Sequence, residues 1–409
     1  MILSEVLSTN AFIARSVNLE RDIGDKNTLS HYVLTAKGLE IISRFVAGLN
    51  GEKVSAWSLT GPYGMGKSSF ANFLMSLCGP KYSSETKFAR RILAEKESLL
   101  LNDFEKALAR RRVITKGFFR VPVTSAFQPI NLTLANGLIQ SIKRSSIIKK
   151  EDAKALAIKI HHLIKKEQID AQKLLELYKE TAQRSRSLIA IVIDEFGKSL
   201  EYMARHPSDG DIYIIQALAE TEGIYLWVCL HQAFEEYSLG FSKRQLQEWG
   251  KIQGRFEDIT FVEPRMQMVS FIAHTLKRKK HPPTESLIDR WADKFYKEAK
   301  RLNLIEFKHI SAELIGEFYP LHPLAAMILP ELCIRFAQND RTLFAFLCGG
   351  ESNALPAYLS SKHISPERNQ LWSLGPEYLY DYFVTSMYNF AQYRPESHRW
   401  IEVTNMVEN

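Results

Sequence analysis

Apolar positions along this chain fall into two patterns, short unbroken runs and stripes spaced three and four residues apart. Residues 54–60 read as a strand, and residues 188–193 and 224–230 are continuous apolar runs of the kind found in central strands of a parallel sheet. Residues 118–124 are strand-like as well. Leu39, Ile42, Phe45, Val46 and Leu49 share one side of a predicted helix over 32–49. Phe70, Phe73, Leu74 and Leu77 recur at i, i+3, i+4, i+7 until Gly79-Pro80 stops the helix. Further helices are predicted after Pro129, over about 132–142, and around 154–183. Strands alternating with helices predict an α/β fold with a mostly parallel sheet. After Ile259-Thr260-Phe261 the pattern turns to helices only: Ile288, Trp291, Phe295 and Leu302 keep helical spacing, and Pro320, Pro323 and Pro330 punctuate later helices. The expected organisation is an α/β core over 1–265 with a helical insertion over about 81–187, an all-α domain over 266–350, and a helical extension over 351–409.

A length of 409 residues suits two or three domains. No apolar run reaches the span of a bilayer, and residues 1–15 lack a charged segment followed by a sustained apolar one. A cytoplasmic protein without membrane attachment is expected. The chain ends without an obvious stop signal and reads as the N-terminal part of something longer. Cys78, Cys229, Cys333 and Cys348 are far apart within apolar patterns and form no C-x-x-C pair, so they read as reduced core residues. The net charge of +7 is carried in part by Arg110-Arg111-Arg112, Lys143-Arg144, Lys149-Lys150 and Lys277-Arg278-Lys279-Lys280. Solvated helix faces and a nucleic-acid surface fit these clusters equally well.

Chemistry enters with Gly61-Pro62-Tyr63-Gly64-Met65-Gly66-Lys67-Ser68, which fits G-x-x-x-x-G-K-[ST] and lies between an apolar strand and an amphipathic helix. Glycines there let the chain wrap phosphate oxygens, and the helix that opens next aims N–H groups and its dipole at the anion. Gly61, Pro62, Tyr63, Gly64, Met65, Gly66, Lys67, Ser68 and Ser69 are the expected nucleotide contacts. Lys67 is placed to reach the β- and γ-phosphates and Ser68 to hold Mg²⁺. Asp194-Glu195 closes the apolar run 188–193 as a Walker B pair, Asp194 for the metal and Glu195 to polarise the attacking water. Such a pair also caps helices or faces solvent in other proteins. Glu195-Phe196-Gly197-Lys198 invites comparison with metal-dependent nucleases, but those place one residue between acid and lysine. His231-Gln232 ends the run 224–230, where a polar side chain can touch the γ-phosphate or the water.

At that strand end the chain resembles the AAA+ ATPases, whose polar sensor 1 residue occupies the same place. Lys251-Ile252-Gln253-Gly254-Arg255-Phe256, ahead of Ile259-Thr260-Phe261 and Pro264, extends the likeness. By that resemblance Arg255 is an arginine finger reaching a neighbouring subunit's ATP. A local ion pair of Arg255 with Glu257 or Asp258 is the alternative. Gln338-Asn339-Asp340-Arg341-Thr342-Leu343-Phe344 is similar to the sensor 2 helix of the origin-recognition and initiator clade, which implies that Arg341 folds over the nucleotide. With Ser58-Leu59-Thr60 before the loop, the long insertion, and Tyr319-Pro320-Leu321-His322-Pro323, the chain looks like the large prokaryotic ATPases of phage-defence systems such as BREX. The resemblance covers about residues 30–350. It implies an AAA+ P-loop core followed by an all-α lid, ATP and Mg²⁺ as cofactors, a homo-oligomer, DNA as target and other defence-system proteins as partners. A nucleotide-gated signalling scaffold of the STAND type, with slow turnover, is the alternative function. A DEAD-like helicase lacks its second α/β domain here, no Asn-Lys-x-Asp motif supports a GTPase, and Leu239-Gly240-Phe241-Ser242 is a poor ABC signature.

Overall fold

The computed structural model describes residues 1–9, 18–29, 32–51, 54–61, 66–166, 169–206, 212–232, 234–237, 243–261, 268–269, 272–273, 275–304, 310–336 and 341–387. Its strands, in chain order, are β1 (Leu7–Thr9), β2 (Ala56–Thr60), β3 (Phe119–Thr124), β4 (Ile189–Asp194), β5 (Ile224–Leu230), β6 (Glu257–Thr260) and β7 (Leu276–Arg278). The chain divides into two compact units, Val17–Val262 on one side and Met1–Ser16 with Glu263–Asn409 on the other.

The unit Val17–Val262 is α/β. Its five strands form one parallel sheet in the order β3-β4-β5-β2-β6. Register is set so that Thr124 lies level with Asp194, and Thr60 with both Leu230 and Thr260. The carboxyl ends of the strands therefore open along one edge. Every residue of β4 and β5 is buried, which explains their unbroken apolar reading. On one face Trp57 stacks on Trp227 with centroids 5.1 Å apart, and Phe45 meets Trp227 edge-on at 4.8 Å. Ile191, Ile193, Leu226 and Val228 pack on the other face with Leu134, Leu138 and Tyr178. Loss of one of these large side chains costs about 3–5 kcal/mol.

Helix Ala36–Leu49 starts later than its apolar stripe alone suggests, because the Thr35 hydroxyl accepts from the Gly38 amide at 3.1 Å and fixes the cap there. The segment 81–187 is not simply an insertion, since β3 is the edge strand of the sheet. That edge is closed to further pairing: Phe118 donates its amide to Cys78, Pro122 has no N–H, and Glu20 accepts from the Thr124 amide at 2.7 Å.

The other unit is mainly helical, with helices Pro282–Arg301, Pro323–Phe336 and Pro376–Met387 among its described elements. It is not purely so. β1 pairs antiparallel with β7, Leu7 opposite Arg278, and Leu3, Val6 and Leu7 join a core with Ile288, Ile315, Leu329 and Phe346. The first sixteen residues thus belong with the second half of the chain and not with the α/β core. Three residues carry too little pattern to reveal a strand whose partner lies some 270 positions away. Cys78, Cys229 and Cys333 are buried, Cys348 is partly so, and none of the four is in a disulfide. No helix among the described residues is long and apolar enough to cross a membrane.

Candidate functional site

The carboxyl ends of β2, β4 and β5 gather polar and charged side chains into one cluster, in which Lys67 and Asp194 are buried and Glu195, Lys198 and His231 are partly exposed. Gly61 leaves β2 by donating its amide to Leu230 at 3.1 Å. A side chain there is impossible, because a Cβ would come within 2.4 Å of the Phe261 carbonyl oxygen. Pro62, Tyr63, Gly64 and Met65 lie outside the described residues. Gly66 resumes the chain with φ at 83°, left-handed backbone that suits glycine, and caps helix Lys67–Leu77. Lys67 is buried and its ammonium donates to the Gly61 carbonyl at 2.5 Å. Ser68 and Ser69 follow in the first turn.

β4 lies two strands from β2, roughly 10 Å away at ordinary strand spacing, with β5 between them. Helix Lys67–Leu77 closes this gap, bringing the Ser68 hydroxyl near enough to the Asp194 carboxylate to favour its ionised form. Burial raises the Asp194 pKa above the ordinary value, and Glu195 next door adds to the rise, while the Ser68 hydroxyl, the Glu195 amide and the charge of Lys67 pull the other way. Cys229 of β5 is a further neighbour, its thiol raised by burial first and then by the Asp194 charge. Glu195 stands just past the strand with φ at 52°, left-handed backbone for a residue with a side chain, which costs on the order of 1–2 kcal/mol. Its carboxylate is half-buried and paired with the Lys198 ammonium one helical turn on.

His231 caps β5, the strand between the lysine-bearing and acid-bearing ones. Its imidazole is pushed down to about 3, by burial first and then by the charges of Lys67 and Lys198. At neutral pH it is an uncharged ring in the field of two ammonium groups. The Tyr237 hydroxyl accepts from the His231 amide at 3.4 Å.

Arg255 lies elsewhere on the same unit. It precedes β6, at the amino ends of the strands, and pairs with Glu220 at 2.5 Å. Neither Glu257 nor Asp258 is its local partner: Glu257 takes Arg44 and the Trp57 indole, and Asp258 accepts from Ser58 at 2.6 Å and Thr60 at 2.8 Å. Arg341 opens helix Arg341–Cys348 in the other unit, and its side chain, with residues 338–340, lies outside the described set.

Sequence reasoning passed over Lys198, Tyr237 and Cys229. Lys198 was visible three residues beyond Glu195, but only through a nuclease comparison that its spacing does not fit. Tyr237 and Cys229 carried no signal, since their place depends on strand order. A Mg²⁺ ion fits the donor set here, a serine hydroxyl beside a buried carboxylate, because a cation would offset the burial that now disfavours the Asp194 charge. No protein-family model, curated protein or solved structure matches the chain.

Proposed function

We propose that this protein binds and hydrolyses ATP with Mg²⁺ at the carboxyl edge of its parallel sheet, as an ATPase of the AAA+ type. The approach of Ser68 to Asp194 carries the reading, because it brings the end of the glycine loop to the acidic doublet across an intervening strand. In open α/β sheets ligands bind outside the carboxyl ends of the strands, where this cluster lies. Lys67 and the helix N-terminus hold the phosphates. Ser68 and Asp194 hold Mg²⁺, which when bound neutralises charge on the phosphate oxygens.

Glu195 orients a water molecule and takes its proton as the water oxygen bonds the γ-phosphorus and the bond to the bridging oxygen breaks, leaving ADP and phosphate. The depressed basicity of His231 makes it a neutral hydrogen-bonding group at this place and not a competing base. Gln232 is the second polar group of that strand end.

Arg255 is separated from Lys67 by the length of the strands, roughly 15 Å or more, so it cannot serve the site of its own chain. A finger role across a subunit boundary, and with it a homo-oligomer, is what the resemblance implies, and the pair with Glu220 is the local alternative. A lid formed by the helical unit, Arg341 as a sensor, DNA as the target and a place in phage defence rest on the resemblance alone. Calorimetric titration with Mg-ATP, followed by phosphate release with and without duplex DNA, tests the proposal. Absence of nucleotide binding ends it, and binding with turnover that DNA leaves unchanged removes the DNA assignment and favours the signalling scaffold.

A further inference from the structure

The ion pair between Lys198 and Glu195 sets the prospective base against a cation of its own chain. Lys198 is nearly half exposed, at 47%, so its ammonium is free to change partner. The turn that bears it is fixed. The Lys198 amide donates to the Glu195 carbonyl at 3.0 Å, and Gly197 fits tightly under Tyr237, whose hydroxyl oxygen would lie 2.3 Å from any Cβ at that position. The same hydroxyl accepts from the His231 amide. One tyrosine therefore ties the start of helix Gly197–Arg205 to the end of β5. The charges of Lys67, on the helix after β2, and of Lys198, on the helix after β4, both act on His231 at the carboxyl edge.

We infer that Lys198 is a second phosphate-contacting cation of the nucleotide site, exchanging Glu195 for the terminal phosphate of ATP. The inference rests on the ATPase reading above. A half-exposed lysine–carboxylate pair is worth about 0–1 kcal/mol, whereas a terminal phosphate offers a doubly charged acceptor for charge-assisted hydrogen bonds. The exchange is therefore downhill with ATP. ADP lacks the terminal phosphate and leaves the pair closed. The exchange also frees the Glu195 carboxylate for the water at the moment when a γ-phosphate is present, so the base becomes available with its substrate.

The test measures affinity for a non-hydrolysable ATP analogue and for ADP by calorimetry, with single-turnover hydrolysis, in wild type, Lys198→Met and Lys198→Arg. ADP affinity should stay within about twofold across the three proteins, while Lys198→Met loses about tenfold for the ATP analogue and at least as much in turnover. Lys198→Arg should recover most of both. A purely structural role would weaken ATP and ADP alike. An unchanged ratio of ATP to ADP affinity in Lys198→Met overturns the inference, and so does faster turnover, which would make the pair a brake. If the wild type binds and hydrolyses ATP while Lys198→Met behaves identically, only this inference falls. If the wild type binds neither nucleotide, the ATPase reading falls and this falls with it.

Discussion

The two edges of the parallel sheet treat charge in opposite ways. At the amino edge Glu257 meets Arg44 and the Trp57 indole, and Arg255 meets Glu220, so these ionic groups find local complements. Glu220 is held below the usual carboxylate range by hydrogen bonds from Gln216 and Arg255. At the carboxyl edge Asp194 is pushed up and His231 pushed down, in each case chiefly by burial. Glu220 at the first edge is more comfortable ionised than in water, and Asp194 and His231 at the second are less so. Burial without full compensation costs stability, and groups perturbed in this way gather where proteins bind or react, which is in keeping with the nucleotide site proposed above.

The strongest challenge to this contrast is Arg255→Ala. Its exposed pair should contribute within about 0.5 kcal/mol to unfolding free energy, yet turnover should fall about 10³-fold if Arg255 acts on a neighbour's ATP. Mixing this variant with Glu195→Gln subunits should restore hydrolysis, because the intact Arg255 of one then serves the intact Glu195 of the other. Failure of that rescue would return Arg255 to a structural part and leave the amino edge inert.

Glu195→Gln should keep Mg-ATP affinity and lower turnover by about 10²–10³-fold, read by phosphate release. Wild-type hydrolysis in that variant would remove Glu195 from the reaction. Lys67→Ala should reduce Mg-ATP affinity by about 10²-fold in calorimetry, and unchanged affinity would detach the lysine from the phosphates.

The smallest effect sharpens the comparison directly. Because the folded pKa of Asp194 is raised, its contribution to stability is present below the unfolded value of about 4 and is lost as pH rises through the folded one. Asp194→Asn should therefore be more stable than wild type at pH 7, by on the order of 1 kcal/mol in urea unfolding, with the gain shrinking as pH falls toward 4. A destabilised variant at pH 7 would mean that the carboxylate is well compensated after all.

Much of the α/β unit was legible in the residues themselves. Runs such as Ile189–Asp194 and Ile224–Leu230 announce buried parallel strands, since both their faces are covered and no alternation is possible. The glycine loop is legible too, because Gly61 and Gly66 answer to backbone demands that few other residues meet. The pairing of Leu7–Thr9 with Leu276–Arg278 was not, nor was Glu220 as the partner of Arg255, because each depends on contacts between segments far apart in sequence.

The order of residues determined which groups end the strands: a lysine and serine after β2, an acidic doublet after β4, a histidine and glutamine after β5. Periodicity and loop chemistry are local properties, so they survive in one dimension. Only the tertiary structure decided that β5 lies between β2 and β4, that Ser68 comes near Asp194 beyond it, and that the charges of Lys198 and Lys67 both act on His231. Strand order is fixed by how helices pack on the two faces, and burial of a charge depends on every neighbour at once, so neither can be read from spacing along the chain.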